Sequence, residues 1–244
     1  MAGPTAAALL RAWERGLDLS PTRRSLALLA AVSAEDPEQL AALSIGARDA
    51  RLLRLRQAVF GDAVAAVAQC PACGERLDAA FRIGDLCTGA EDESSEPVHH
   101  LRSGDTEIAY RVPTSADLLA IPDACDDDQA QRFLLRRCVV SARIDGVATA
   151  ADALPADAAA ALSHAMHEAD PQACTELSLT CPACGHAWNS LFDIAAFLWT
   201  EVHAWVLRTL RDVHTLARAY GWREADILAM SAHRRRLYLE LASS

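Results

Sequence analysis

Apolar positions recur with a helical period over residues 5–60 and again over residues 193–241; between them lie short runs that alternate apolar with polar. Leu9, Leu10 and Trp13 stand at helical spacing and predict a helix over residues 5–17. Ser20-Pro21-Thr22 is a helix-start signal, with proline near the first helical position and Leu26, Leu28, Leu29 and Val32 following. A shorter helix is predicted over residues 35–43. A longer one follows over 47–60, with Leu52, Leu53, Leu55 and Val59 inward and Arg48, Arg51, Arg54 and Arg56 largely outward. Gly61-Asp62 breaks it, and a short helix through Val64 and Val67 is expected to follow.

The middle of the chain changes period. Leu77, Ala79, Phe81 and Ile83 alternate with polar residues, as do Trp188, Ser190, Phe192 and Ile194, so each run reads as a half-buried strand. Residues 176–180 alternate as well, which makes a hairpin with 187–194. Residues 107–112 read as a strand returning to the same sheet, and Thr114 or Ser115 can cap a helix that buries Leu118 and Leu119. A helix opened by acidic side chains is predicted over 126–142, a turn at Ile144-Asp145-Gly146, and an alanine-rich helix over 155–170. Residues 88–97 are acidic and nearly devoid of apolar groups, so they are expected to form a flexible loop. From Asp193 a long helix carries Leu198, Val202, Val206, Val213 and Leu216; Gly221 stops it, and two short amphipathic helices follow over 223–230 and 233–241. Trp188, Trp199, Trp205 and Trp222 read as aromatic core near this region rather than as an exposed docking patch.

The chemistry sits at the tips of the two alternating runs. Cys-Pro-Ala-Cys-Gly occurs at 70–74 and again at 181–185, and the match continues without a gap through Phe81 and Phe192. Two cysteines two residues apart supply half of a tetrahedral thiolate site, and two such halves supply a whole one. Pro71 and Pro182 stiffen the turn by fixing φ, and Gly74 and Gly185 admit a left-handed backbone that lets amides approach the sulfurs. Cys70, Cys73, Cys181 and Cys184 are therefore the expected ligands of one structural zinc ion that clamps stretches more than a hundred residues apart. A thioredoxin-type redox motif needs a βαβ setting, which the following strands do not provide. Disulfides need an oxidising compartment, and the N-terminus lacks the pattern of a secretory signal.

Other candidates are weaker. Cys87, Cys125, Cys138 and Cys174 have no partner at ligand spacing and read as small buried hydrophobes. His186 is a neighbour of the second knuckle, and His164 and His167 near Glu168 and Asp170 read as a solvated helix face rather than a second site. Asp126-Asp127-Asp128 fits no calcium loop, and nothing brings Asp117 and Asp193 together as a carboxylate pair. No phosphate loop, dinucleotide fingerprint, nucleophile elbow or zinc-protease motif is present, so no enzymatic activity is expected.

Charge narrows the partner. The 244 residues carry a net charge of −10, and all 23 basic residues are arginine. Nucleic-acid binding relies on clustered positive charge, so the balance argues against it; the one dense basic run is Arg234-Arg235-Arg236. No apolar run reaches the roughly 20 residues needed to span a bilayer, and a cytoplasmic, soluble protein is expected.

The run from Cys181 to Leu241, with Phe192-Asp-Ile-Ala-Ala-Phe-Leu-Trp199, Ala219-Tyr-Gly-Trp-Arg-Glu-Ala-Asp-Ile-Leu228 and the closing Arg-Arg-Arg-Leu-Tyr-Leu-Glu240, resembles the T4-type baseplate hub assembly chaperone family of phage-like contractile tails and contractile injection systems. Tyr110-Arg-Val-Pro-Thr-Ser-Ala-Asp-Leu118 and Gly46-Ala-Arg-Asp-Ala-Arg-Leu-Leu53 are similar too. The resemblance implies a cytoplasmic factor that binds a baseplate hub or spike subunit and has no catalytic residues. A permanent baseplate component and a zinc-ribbon nucleic-acid binder stand as alternatives, and oligomeric state is left open. The expected fold is α+β, mainly helical with a small antiparallel zinc-ribbon sheet. It divides into a helical region (1–69), a first knuckle with its strands (70–112), a helical insertion (113–173), a second knuckle hairpin (174–194) and a C-terminal helical region (195–244).

Overall fold

The computed structural model describes residues 3–87 and 98–242. The acidic segment 88–97, expected to be a flexible loop, lies outside the described residues. Four helices open the chain: α1 (Ala6–Gly16), α2 (Pro21–Ala30), α3 (Pro37–Ala42) and α4 (Ile45–Phe60). Their starts are set locally. Thr5 accepts from the Ala8 amide, Asp36 forms a reciprocal capping box with Gln39, and Ser44 accepts from Ala47. Ser20 caps α2 by backbone shape alone, with Pro21 at the first position.

The arginines of α4 depart from expectation. Arg48 and Arg56 are buried rather than outward. Arg48 reaches Asp49 at 2.8 Å, and Arg56 forks onto both carboxylate oxygens of Glu201 at 2.9 Å while donating to the Gly61 carbonyl. A buried guanidinium is tolerated because its fixed fork of donors finds acceptors, for Arg48 on the neighbouring residue and for Arg56 on α4's end and the distant Glu201.

After Gly61 (φ +87°) the chain enters β1 (Ala63–Gln69), which pairs antiparallel with β2 (Arg76–Arg82) from Ala63↔Arg82 to Gln69↔Arg76. This replaces the short helix expected through Val64 and Val67. Alanine favours helix by only tenths of a kcal/mol per residue, and a complete ladder with β2 outweighs that. Val64 faces the core and Val67 faces outward. The short helix α5 (Ile83–Leu86) follows directly and buries Ile83.

The middle of the chain forms a sheet of its own. The strands β3 (His99–Ser103) and β4 (Thr106–Tyr110) lead to α6 (Ser115–Leu119) and α7 (Asp127–Cys138). Then come β5 (Val139–Ile144), β6 (Val147–Thr149) and α8 (Ala156–Ala169). Strand order is β3-β4-β5-β6, all antiparallel. Two expectations are corrected here. The strand at 107–112 does not join the knuckle hairpins, because its partners are β3 and β5. The helix predicted to reach residue 142 stops at Cys138, where Val139 and Val140 begin a strand that turns back through Asp145 (φ +51°) and Gly146. Ile108, Tyr110, Ala142, Ala158 and Leu162 form the core of this unit. Asp117, 1% exposed, ties its corner together by binding Arg111, Arg137 and the backbone and hydroxyl of Thr114.

The chain then forms a second hairpin, β7 (Glu176–Thr180) with β8 (Ala187–Leu191), and finishes in α9 (Ile194–Tyr220), α10 (Glu224–Ala229) and α11 (Ala232–Ala242). Asp193 caps α9 by accepting from Ala196, and left-handed Gly221 ends it. The main core packs α9 against the N-terminal helices, with Leu9, Leu28, Leu52, Ile83, Leu198 and Leu216 fully enclosed. Trp199, Trp205 and Trp222 lie partly buried around it, in line with an aromatic layer over the core. Gly16 meets the Trp199 ring so closely that a Cβ there would stand 2.5 Å from it. A Cβ at Gly46 would collide with Asp170, whose carboxylate accepts from the Gly46 amide at 2.8 Å. That contact fixes the approach to β7 against the start of α4.

The architecture is α+β and mainly helical with small antiparallel sheets. The two hairpins are separate two-stranded sheets, not one sheet as expected; among the described residues no strand of one pairs with a strand of the other. They meet through side chains: β1 and β2 place Val64, Ala66 and Phe81 against the main core, while the half-buried Leu177, Leu179 and Trp188 of β7 and β8 line a cleft beside the first hairpin.

Candidate metal centre

Both knuckles are built alike, backbone bond for backbone bond. The Cys70 amide donates to the Glu75 carbonyl at 2.9 Å and the Gly74 amide to the Cys70 carbonyl at 2.9 Å. In the second copy Cys181 donates to His186 at 2.8 Å and Gly185 to Cys181 at 2.9 Å. These bonds close a tight turn at the tip of each hairpin, and they require positive φ at Gly74 (+77°) and Gly185 (+72°). A side chain at either position is strained by that backbone. The first cysteine of each pair, Cys70 and Cys181, is buried; the second, Cys73 and Cys184, is exposed.

The hairpins bring the tips together. Cys70 Sγ lies 3.7 Å from Cys184 Sγ, Cys73 Sγ lies 3.6 Å from Cys181 Sγ, and all four sulfurs fall within 4.8 Å of one another. A disulfide has sulfurs about 2.05 Å apart, so these are four free thiols. An ion held tetrahedrally by thiolates at about 2.3 Å has its sulfurs roughly 3.8 Å apart, and the closest pairs match that spacing. Cys70, Cys73, Cys181 and Cys184 could hold one metal ion, and among the described residues no other cluster of ligating groups could. All four positions come from protein sulfur, so the donor set leaves no open position for substrate.

The electrostatics fit a cation as well. Burial raises the Cys70 thiol, yet amides of Cys73 and Ala72 and the thiols of Cys73 and Cys181 bring it down to about 7. The Glu75 amide pulls on Cys73, but Cys184, burial, Cys181 and Cys70 outweigh it and push that thiol up to about 12. Cys184 receives the His186 amide and a hydrogen bond from Cys73, and is raised overall by burial and by Cys181 and Cys70. Cys70, Cys73 and Cys184 therefore compete: a thiolate at one suppresses ionisation at the others. A divalent cation held there would remove the competition, and the amides aimed at the sulfurs would offset the remaining negative charge.

The hairpins also touch at their bases, where Phe81 and Phe192 meet edge to face with ring centres 5.2 Å apart. Between base and tips lies a cleft of about 500 Å³ lined by Val67, Leu177, Leu179 and Trp188. Phe192 leads through Asp193 straight into α9, so the second hairpin and the longest helix share one rigid junction.

The remaining candidates disperse. His186 stacks on Trp188 and stands outside the sulfur cluster. His164 lies 3.4 Å from Glu168 on an exposed face. Asp117 is engaged by two arginines and Asp193 caps a helix, so they form no catalytic pair. Of the other cysteines only Cys138 is fully buried, with its thiol pushed up to about 11 chiefly by burial; Cys125 and Cys174 are half-buried, and Cys87 is exposed, contrary to its reading as core. The buried Asp117, Arg48 and Arg56 networks were missed by sequence reasoning. Arg56 with Glu201 and Arg137 with Asp117 pair across elements, whereas Arg48 with its neighbour Asp49 and Arg111 with Asp117 six residues on are pairs with a local sign in the sequence.

No helix among the described residues is long and apolar enough to cross a membrane. No curated protein and no solved structure matches the chain. A family model described as T4 bacteriophage base plate protein matches residues 26–199, a stretch that takes in both knuckles and the four-stranded sheet and ends within α9. The resembling run at 219–241 falls outside that stretch. With most of its length matched, including every cysteine of the cluster, the chain belongs to the T4 bacteriophage base plate protein family.

Proposed function

We propose that the protein is a non-enzymatic, cytoplasmic assembly chaperone for the hub or spike of a contractile tail baseplate, acting by protein–protein binding and held in its working shape by one zinc ion. The observation that carries this reading is the convergence of four thiols from two distant stretches in a chain of a baseplate family. Zinc bound there supplies a closed, unreactive cross-link. Cys70 and Cys73 anchor the first hairpin and Cys181 and Cys184 the second. The amides of Ala72, Cys73, Glu75 and His186 hold the sulfurs in place. Because α9 leaves directly from β8, fixing the angle between the hairpins also fixes the direction of α9 and of the C-terminal surface that meets the client. The working units of this proposal are the two knuckle hairpins and the C-terminal helices; of the five segments expected from the sequence, the bounds at 69 and 112 cut through the β1–β2 hairpin and the four-stranded sheet.

Deleting the gene and analysing the resulting particles tests it. The expected outcome is failed hub or spike assembly, with the protein absent from finished wild-type particles. Stoichiometric retention in those particles would instead select a permanent baseplate part. Salt-sensitive micromolar binding to DNA or RNA would select a nucleic-acid role.

A further inference from the structure

We propose that the C-terminal end of the fold, where α11 meets the turn between α9 and α10, docks an amphipathic, carboxylate-rich segment of a partner protein. The proposal deepens the chaperone reading by naming the chemistry of the client segment, and it rests on that reading for treating the occupant as a protein. Charge is the first observation. The whole chain is at −10, yet residues 208–242 hold seven arginines against four carboxylate side chains. Arg211, Arg218, Arg223, Arg234 and Arg236 are exposed and form no ion pair among the described residues, whereas Arg235 turns inward toward Asp212 at 3.5 Å. Among the described residues the buried Arg235 Nη1 has no acceptor, so the donors this end offers to a partner are those of the exposed arginines.

The second observation is apolar. Arg234, Leu237, Tyr238 and Leu241 fall one turn apart along α11 and share a face. Leu237 is 47% and Leu241 66% exposed. Tyr238 continues the stripe into a stacked cluster: Trp222 lies edge-on at 4.8 Å, and Tyr220 stacks on Trp222 at 4.5 Å. Arg234 sits over the Tyr238 ring at 5.6 Å. Rigid aromatics beside arginine and aliphatic side chains make the composition of an interface anchor. A segment with carboxylates flanking apolar side chains complements this stripe in charge and in apolar character. A long polyanion does not, since the exposed leucines offer phosphate nothing and the acidic remainder of the chain repels it.

Fluorescence anisotropy on the full-length, metal-replete protein tests the surface separately from particle assembly. The probe is a helix-forming peptide of about 20 residues with glutamates flanking a leucine and phenylalanine stripe. It is compared with a scrambled peptide of equal composition and with duplex DNA. The expected result is binding of the amphipathic peptide that is about tenfold tighter than that of the scrambled one. That binding should weaken about tenfold in Arg234→Glu/Arg236→Glu and again in Leu237→Ser/Leu241→Ser, with unfolding midpoints unchanged. Equal binding of both peptides, preference for DNA, or no peptide binding overturns the proposal. A mass that doubles with concentration and returns to monomer in Leu237→Ser/Leu241→Ser also overturns it, by assigning the face to a second copy of this chain. Peptide binding with normal particle assembly in a deletion strain would retain the surface and remove the chaperone reading; failed assembly without peptide binding would do the reverse.

Discussion

The knuckle hairpins and the four-stranded sheet are both small antiparallel structures, yet they are held together by different means. The sheet β3-β4-β5-β6 encloses an apolar core of its own under α8 and has a charged corner at Asp117. Each knuckle hairpin has only two strands, with no third strand paired to it among the described residues, and only the first lends strand residues, Val64, Ala66 and Phe81, to the main core. An isolated two-stranded hairpin is marginal in water. The pair meet at the Phe81–Phe192 contact, around a cleft lined from both sides, and at the four sulfurs. Where apolar area is scarce, an ion held by the four thiols would do the work that a core does elsewhere.

Removing the clamp should have the largest effect. Cys70→Ser or Cys184→Ser is expected to abolish stoichiometric metal and to leave the chain insoluble or protease-sensitive. A structural zinc contributes on the order of 10 kcal/mol in finger peptides, comparable to the net stability of a whole domain. Metal analysis and limited proteolysis check this; native-like unfolding midpoints in both variants would contradict it. Chelation of the wild type should expose the hairpins to protease before the four-stranded sheet.

Asp117→Ala comes next and should act on the other region only. It strands Arg111 and Arg137, which keep part of their solvation because they are partly exposed, so the cost is about 2–3 kcal/mol rather than that of a fully buried pair. Denaturant unfolding should record the loss while the metal content stays at one per chain.

Acid separates the regions in the same order. Burial tends to raise the Asp117 carboxyl, but Arg111, the Thr114 amide, Arg137 and the Thr114 hydroxyl hold it well below its ordinary value. The folded-state pKa therefore lies below the unfolded one. Its stabilisation is complete above the unfolded value of 3.8 and fades as pH falls through the folded value. Protons compete for the sulfurs at milder acidity, so metal release should precede loss of the sheet. Following metal release with a chromophoric chelator beside far-ultraviolet circular dichroism reads the order, and sheet loss first would contradict it.

Phe192→Ala should be smallest. It removes a half-buried ring from the contact with Phe81, worth about 1–2 kcal/mol given that full burial costs 3–5, and the ion should hold the tips together regardless. Loss of metal in this variant would mean that the aromatic base, not the thiols, sets the hairpin angle.

The sequence by itself determined what acts within a few residues. The repeated Cys-Pro-Ala-Cys-Gly defines both turns, because glycine supplies the positive φ and the alternation after it defines β2 and β8. The long helix from Asp193 to Gly221 was legible for the same reason, with its cap and its left-handed stop next to the residues they serve. Tertiary structure alone decided the rest. Residues 63–69 are a strand because β2 pairs with them, against their alanine content. Val139 leaves its helix because β4 offers a ladder, and Arg56 goes inside because the carboxylate of Glu201 stands ready for it. Strand pairing and charge burial depend on partners supplied from afar, and a chain's local pattern does not contain their positions. The same holds for the sulfurs: their chemistry was written in the two pentapeptides, while the fold alone brought Cys70 beside Cys184 and Cys73 beside Cys181.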